Sequence, residues 1–280
     1  MKHQEGFFKG GGGADIYHQC WLPEEEPKAI LVIVHGLAEH SGRYMNVVNR
    51  FVPLGYGVYG LDHLGHGKSA GTRVYVDRFE DFTNTLHTYV GMVRGAQPGK
   101  PIFLIGHSMG GLIGASYLVN HQDEFTGAVF SGPAVKVPEN ISSFIIFVGK
   151  IFSALIPKVG LIQLEAEGVS RDPGVVEAYI NDPLVYPGKT TARLAAELLK
   201  TMQRVTAEAS KITLPILILQ GSADRLVDPG GAQMLYDTVR SADKTIKIYD
   251  GLFHEVFNEP EHAQVLNDVA AWLEAHLGNR

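Results

Sequence analysis

One serine stands in a context that can make it a nucleophile. Ser108 lies within the pattern G-x-S-x-G at 106–110, which directly follows the apolar run Ile102 to Ile105 and precedes a helical pattern. A sharp strand-to-helix turn of this kind lifts the serine hydroxyl above the end of a sheet, and the glycines let the two backbones pass closely. The alternative is a serine that only caps the helix. We favour the nucleophile, because a strand is indicated before it and a helix after it.

A serine hydroxyl is a weak nucleophile at neutral pH, so it needs a histidine base. His254 stands in the loop between the predicted strand Lys244 to Tyr249 and a C-terminal helical pattern. On a doubly wound hydrolase sheet the chain order is serine, acid, histidine, and the histidine follows the last strand. We therefore predict that His254 is the base.

The base needs a carboxylate that holds its tautomer and stabilises its positive charge. Asp224 follows the predicted strand Pro215 to Gln220 and is the preferred acid. Asp228 competes with it, but it stands before a proline where a helix N-cap is predicted. Asp250 also lies at a strand end, where it resembles a turn residue.

Two backbone amides are expected to bind the oxyanion of a tetrahedral intermediate. One belongs to Met109, the residue after the nucleophile, and the other to Leu37, in the loop after the predicted strand Ile30 to Val34. Each such donor contributes about 3 kcal/mol to transition-state stabilisation. Because both are main-chain groups, no side-chain substitution deletes them.

The elements that must hold these groups alternate along the chain. Short apolar runs separated by amphipathic stretches predict a parallel, doubly wound α/β sheet in one domain over residues 1–280. An antiparallel pair, Gly6 to Lys9 and Asp15 to Leu22, is expected at the N-terminal edge. The other predicted strands are Ile30 to His35, Gly57 to Asp62, Ile102 to His107, Gly127 to Ser131, Ile216 to Gln220 and Lys244 to Tyr249.

The alternation stops between residues 133 and 190, where no strand is predicted. We expect a cap or lid inserted into the domain there. Its stretch Ile141 to Ile156 is apolar on nearly every helical face, carries Lys150 and is too short to span a membrane. A lid helix over an apolar pocket is favoured, and an ordinary core helix is the alternative.

The composition excludes several classes of function. The 280 residues are 45% hydrophobic with a net charge of -6, which suits a globular protein and offers no basic surface for nucleic acid. The single Cys20 excludes an intramolecular disulfide. No signal peptide or membrane span is predicted, so we expect a cytoplasmic protein, with peripheral membrane contact left open. No metal or other cofactor is expected, because the five histidines near the loop edge lack metal-ligand spacing: His35, His40, His63, His66 and His107.

Several motifs together resemble those of the monoacylglycerol lipases of the α/β-hydrolase fold, closest to the bacterial branch. They follow the family's order from about Gly6 to Leu277: His35 to Tyr44, Asp62 to Ser69, Gly106 to Gly111, Ser170 to Pro173, Asn181 to Leu184 and Gln220 to Leu226. The resemblance implies a mostly parallel eight-stranded sheet with a helical cap or lid at 133–190. It also implies hydrolysis of a monoacylglycerol to a fatty acid and glycerol through an acyl-enzyme, without a cofactor. It assigns the same triad, Ser108, Asp224 and His254.

The resemblance further implies a polar end of the site that accepts glycerol. Glu39, Arg43 and Tyr179 match the family residues there, and the alternatives are a surface ion pair of Glu39 with Arg43 and a packed Tyr179. The acyl chain needs an apolar channel, since each buried methylene contributes about 0.8 kcal/mol. Residues of the insertion are candidates for that channel or for contact with a lipid aggregate: Phe144, Ile145, Phe147, Ile151 and Phe152.

Three positions depart from the animal members of that family. Tyr186 and Val227 stand where those members carry reactive cysteines, so thiol sensitivity is not expected. Phe257 stands where they carry a second histidine, so recognition of the leaving glycerol is expected to differ.

Two other functions remain open from the sequence. A general carboxylesterase or lysophospholipase would use the same triad on other esters. A non-catalytic lipid-binding member of the fold would usually have lost a triad position, and no such loss is visible here.

Overall fold

An eight-stranded sheet forms the centre of the protein, whose computed structural model describes residues 1–137 and 151–278. Its strands are β1 (Lys2–Lys9), β2 (Asp15–Leu22), β3 (Ala29–Val34), β4 (Tyr56–Leu61), β5 (Ile102–His107), β6 (Gly127–Ser131), β9 (Ile216–Gly221) and β10 (Lys244–Tyr249). The spatial order is β1-β2-β4-β3-β5-β6-β9-β10. Strand β2 pairs antiparallel with β1 and β4, and every other pairing in this sheet is parallel.

Helices cover both faces of this sheet. Their bounds are α1 (Met45–Phe51), α2 (Glu80–Ala96), α3 (Met109–His121), α4 (Pro173–Asn181), α5 (Ala192–Glu208), α6 (Gly230–Thr238) and α7 (His262–His276). Buried side chains of α1 and α7 pack in one apolar cluster, and those of α2, α3, α5 and α6 pack in another. Successive residues of β3 alternate between the two clusters, because side chains of a strand point to opposite faces. A strand buried on both faces therefore reads as a continuous apolar run.

The predicted α/β fold is confirmed. Strands β5, β6 and β10 have the predicted bounds, and β3, β4 and β9 differ by one residue at one or both ends. The N-terminal antiparallel pair is also present, although β1 begins at Lys2 rather than Gly6. The sequence pattern missed this start because most of the first residues of β1 are exposed and polar.

The strand order reverses direction in space between β3 and β5. From β3 the chain adds β4 on one side, and then it crosses over to add β5 on the other side. A crevice opens above the carboxyl ends of parallel strands at such a point, and ligands bind there in open α/β sheets. The loop after β3 and the turn after β5 begin at this crevice, and they carry Leu37 and Ser108.

Between β6 and α5 the described residues form short elements. Residues 151–155 are helical, and β7 (Gly160–Ile162) pairs antiparallel with β8 (Thr190–Thr191). The prediction that this stretch holds no strand was wrong, because a three-residue, partly exposed strand leaves no apolar run to detect. Phe144, Ile145 and Phe147 lie outside the described residues. Within the described part of the chain, no helix is long and apolar enough to cross a bilayer.

Candidate active site

Ser108 sits in a strained turn between β5 and α3. Its backbone has φ 53° and ψ -119°, a left-handed conformation that is costly for a residue with a side chain. A Cβ atom on Gly110 would lie 1.9 Å from the carbonyl oxygen of Val34, and one on Gly106 would lie 2.8 Å from that of Gly110. The two glycines therefore allow α3 to begin directly against β3 and β5, with the serine between them.

His254 and Asp224 form a buried hydrogen-bonded pair. The Nδ1 atom of His254 lies 2.7 Å from Oδ2 of Asp224, and the other oxygen of Asp224 accepts hydrogen bonds from the amides of Leu226 and Val227 at 2.9 and 3.1 Å. Gln220 donates a further hydrogen bond to Oδ2 at 2.9 Å. Each oxygen of the Asp224 carboxylate therefore has two hydrogen-bond partners.

The pair holds both partners in the states that general base catalysis needs. Burial alone would raise the pKa of Asp224, but His254 and the hydrogen bonds from the amides of Leu226 and Val227 together outweigh it, and the pKa lies below its ordinary value. Burial alone would lower the pKa of His254, but Asp224, together with the charges of Glu255 and Glu39, outweighs it and the pKa is raised. An ionised Asp224 accepts the proton on Nδ1, which leaves Nε2 of a neutral His254 as an acceptor.

Ser108 and His254 line one cavity whose walls are largely apolar. Leu37 and Met109 also line it. Met109 is the first residue of α3, so its amide has no acceptor within the helix and lies at the positive end of the helix dipole. Apolar side chains from the later part of the chain form much of the wall: Leu164, Val169, Leu198, Met202, Leu226 and Val227.

Buried histidines hold the loop that carries Leu37. The amide of His63 donates to Nε2 of His35 at 2.9 Å, so the proton of His35 is on Nδ1, which lies 2.8 Å from the carbonyl oxygen of Gly36. Nε2 of His63 lies 3.1 Å from the carbonyl oxygen of His35. Burial lowers the pKa of His35, and it lowers that of His63 to about 3. Both rings are therefore neutral and brace the backbone.

Glu39 reaches into the same loop. Its Oε1 accepts hydrogen bonds from the amide of Gly36 at 2.6 Å and from the hydroxyl of Tyr44 at 2.8 Å. Its Oε2 accepts one from Arg43 at 2.9 Å. Glu39 is 4% exposed, so the alternative of a surface ion pair with Arg43 does not describe this contact.

Arg43 is held by a second carboxylate that sequence reasoning missed. Its Nη1 and Nη2 atoms donate to the two oxygens of Glu255 at 2.6 and 2.8 Å, and its guanidinium lies 4.6 Å from the ring centre of Tyr179. Glu255 directly follows His254, so this ion pair joins the histidine loop to Glu39 and the loop after β3. Glu39, Tyr179 and Glu255 line the main cavity, and Arg43 borders a smaller one behind them.

The competing aspartates have other partners. Asp228 accepts a hydrogen bond from the amide of Gly230 at 2.8 Å and pairs with Lys136 at 2.9 Å. Asp250 accepts one from the hydroxyl of Ser222 at 3.2 Å. Lys136 and Asp228 both line the main cavity, and the sequence analysis had not named Lys136.

Other predicted residues lie at the edge of the site or outside it. Phe257 is buried, and the amide of Tyr186 donates to the carbonyl of Ala38 at 2.8 Å. Ile151 and Phe152 are 44% and 40% exposed. These two side chains face solvent, as contact with a lipid aggregate would require.

Several known proteins with similar sequences or structures are monoacylglycerol lipases. A family profile described as serine aminopeptidase, S33 matches residues 25–261. The monoacylglycerol lipase of Mycolicibacterium smegmatis is 42% identical over 96% of each chain, and human monoglyceride lipase is 35% identical over 93% of this chain and 87% of its own. The crystal structure of Paleococcus ferrophilus monoacylglycerol lipase superposes with a TM-score of 0.84, at 32% identity over 93% of this chain and 99% of that one.

Proposed function

Since the chain belongs to the serine aminopeptidase S33 family of α/β-hydrolases, and to its monoacylglycerol lipase branch, we propose that it cleaves monoacylglycerols to fatty acid and glycerol. One observation carries the proposal at the level of chemistry. Ser108, in its strained turn, shares an apolar cavity with His254, which is hydrogen-bonded to a buried Asp224. This arrangement suits attack on an ester whose acyl chain needs burial.

The proposed reaction has two steps, acylation of Ser108 and hydrolysis of the acyl-enzyme. Ser108 Oγ attacks the ester carbonyl as its proton passes to Nε2 of His254, and the amides of Leu37 and Met109 bind the resulting oxyanion. Collapse of the intermediate breaks the bond to glycerol, which leaves with the proton from His254. Water then attacks the acyl-enzyme by the same route, which releases the fatty acid and returns the proton to Ser108.

The cavity has an apolar wall for the acyl chain and a polar end for glycerol. Glu39 and Tyr179 border the polar end and are proposed to contact the glycerol hydroxyls. Arg43 lies behind them and both Glu39 and Glu255 hold its guanidinium, so its proposed role is to position its neighbours. Residues 133–190 are proposed to form the cap over the apolar wall, to which Leu164 and Val169 contribute.

Contact with a lipid surface is proposed for exposed apolar side chains of this cap that are close in sequence. This group, called the cap patch below, consists of Ile151, Phe152, Leu155, Ile156 and Ile162, each between 40% and 76% exposed. A concentration of exposed apolar side chains on this scale marks an interaction surface. The substrate itself lies in lipid aggregates, so an exposed apolar surface on the protein would bring it to the substrate.

A lysophospholipase is the second candidate, and one observation favours it. Lys136 and Asp228 place opposite charges 2.9 Å apart in the cavity lining, where they could meet a zwitterionic headgroup. The uncharged glycerol of a monoacylglycerol does not require such a pair. Rates of hydrolysis of a monoacylglycerol and of a lysophospholipid therefore distinguish the two candidate functions.

The first experiment measures fatty acid release from monooleoylglycerol, lysophosphatidylcholine and a short p-nitrophenyl ester. We expect a preference for monooleoylglycerol, and we expect Ser108→Ala to lower turnover by about four to six orders of magnitude with the fold retained. Retained turnover in Ser108→Ala would exclude the serine mechanism. A preference for lysophosphatidylcholine or for the short ester would be consistent with the serine mechanism but would reject monoacylglycerol as the preferred substrate. Labelling with a fluorophosphonate tests the remaining alternative, because a non-catalytic lipid-binding protein should not be labelled at Ser108.

A further inference from the structure

We propose that this protein carries a transition-metal site on its surface, at the end of α3 away from Ser108. The site consists of His87 on α2, His121 at the end of α3 and Glu124 in the turn that follows. One potential ligand atom from each residue lies within 4.8 Å of the other two. Since α3 rises 1.5 Å per residue, the site is roughly 18 Å along the helix from its first residue.

The distances fit a single bound cation. The Nδ1 atoms of His87 and His121 lie 3.5 and 3.6 Å from Oε1 of Glu124. Two ligands on a tetrahedral Zn²⁺ with bonds of about 2.0–2.1 Å are roughly 3.4 Å apart. Both histidine-to-glutamate distances therefore need little change on binding. The ligand atoms of the two histidines must move closer to each other by a larger amount, which exposed side chains achieve by rotation.

A buried tyrosine holds the carboxylate in place. Tyr117 is 2% exposed, and its hydroxyl donates to Oε2 of Glu124 at 2.6 Å. Its ring stacks on that of His121, with centres 4.5 Å apart and planes at 18°. The hydroxyl oxygen also lies 2.8 Å from Nδ1 of His87. Tyr117 thus orients Glu124 and the ring of His121. In the metal-free protein its hydroxyl oxygen accepts the Nδ1 proton of His87, and that proton leaves when Nδ1 binds a metal ion.

The ligand types select the class of metal. Two imidazoles and one carboxylate suit Zn²⁺, Cu²⁺ or Ni²⁺, whereas Mg²⁺ and Ca²⁺ prefer oxygen ligands. The negative end of the α3 dipole, beside His121, adds a further attraction for a cation. The side chains of His87 and His121 are 56% and 40% exposed, so an ion reaches them from solvent. Three protein ligands leave a fourth position for water.

Binding of Zn²⁺ alone, after removal of metals with EDTA, tests the site by equilibrium dialysis. We expect wild type to bind one more equivalent than His87→Gln or Glu124→Gln, or to bind it at least tenfold more tightly. Gln at position 124 still accepts the hydrogen bond from Tyr117 but lacks the carboxylate. His262→Gln, which removes a histidine of α7 outside the cluster, should bind like wild type.

Thermal unfolding provides a second measurement that does not depend on catalysis. A ligand that binds only the folded state raises Tm, so Zn²⁺ should raise that of wild type and of His262→Gln more than that of the two cluster variants. Equal Tm values in EDTA show that the variants fold. Equal binding of Zn²⁺ to wild type and both cluster variants, or its displacement by excess Mg²⁺, would overturn the proposal. Neither Zn²⁺ binding nor thermal unfolding depends on hydrolysis. Failure of the metal-site proposal would therefore leave the proposed function unaffected.

Discussion

At the scale of single residues, the proposed chemistry depends on how burial and charge have opposite effects on the pKa of His254. Removal from water disfavours an imidazolium, and the nearby carboxylate of Asp224 favours it. Burial is the largest single contribution, but the charge and hydrogen bond of Asp224 and the charges of Glu255 and Glu39 together outweigh it, so the pKa of His254 is raised. Such a base accepts the proton of Ser108 more readily, provided that the pH is high enough to leave it neutral beforehand.

The pH dependence of hydrolysis follows from this shift. Since the base must be neutral and its pKa is raised, kcat/KM should increase with pH through a midpoint above the ordinary value of 6.5. In Asp224→Asn the burial remains and the charge is lost, so the midpoint should move to lower pH, and kcat should fall about 10⁴-fold. Rate profiles of the two proteins over the same pH range provide the test. An unchanged midpoint in the variant would show that Asp224 does not set the pKa.

Arg43 should matter to stability far more than an exposed cation does. Arg43→Met leaves the carboxylates of Glu39 and Glu255 buried without their common partner, which should lower the free energy of unfolding by about 3–5 kcal/mol. The matched control is Lys9→Met, which breaks an exposed pair with Asp15 and should cost less than about 1 kcal/mol. Urea denaturation of both variants makes the comparison, and equal losses would contradict the account of the buried network.

At the scale of elements, the junction between β5 and α3 shows how a helix start can require glycine. The space at Gly110 is occupied by the backbone of β3, and backbone atoms cannot move aside as a flexible side chain can. The helix dipole and the free amide of Met109 are thereby brought to the end of the sheet. Close packing at this junction therefore positions the candidate active-site residues Ser108 and Met109 as well as stabilising the core.

Two glycine-to-alanine substitutions distinguish the effect of close packing on stability from the effect of helix propensity. Gly91 is exposed within α2, and nothing lies within 4 Å of a Cβ atom built there, so Gly91→Ala should stabilise the protein by about 0.5–1 kcal/mol. Gly110→Ala also replaces a helical glycine, but its Cβ would overlap the carbonyl of Val34, so it should destabilise the protein and lower turnover. Unfolding free energies of the two variants have opposite expected signs. A gain in stability from Gly110→Ala would show that α3 can shift without cost.

At the scale of the whole molecule, the surface combines a net negative charge with the cap patch. A formal net charge of -6 repels anionic lipid, so attachment to a lipid surface has to come from apolar contact. The cap patch provides such contact, with Leu155 76% exposed. The protein should accordingly prefer neutral lipid surfaces to anionic ones.

Vesicle partitioning tests this expectation. We expect stronger binding to phosphatidylcholine vesicles than to anionic ones, and weaker binding by the double variant Phe152→Ser and Leu155→Ser. Met92→Ser removes an exposed apolar side chain from α2 and serves as the control. Unchanged partitioning of the double variant, together with unchanged activity on long-chain substrate, would exclude the cap patch as the lipid contact.

The sequence by itself determined the fold and the candidate triad. Parallel strands buried on both faces appear as apolar runs, and the order of strand ends along the chain assigned Ser108, Asp224 and His254 before any contact was known. Each strand could be predicted because its pattern depends on residues that are neighbours in the chain, and the triad because its members follow strand ends in a known order.

Only the tertiary structure decided which distant side chains meet. It paired Arg43 with Glu255, placed Asp228 against Lys136, and brought His87 to His121 and Glu124. Local periodicity contains no information about such pairs, because residues 212 positions apart, as Arg43 and Glu255 are, meet only when the sheet brings separate loops to one edge.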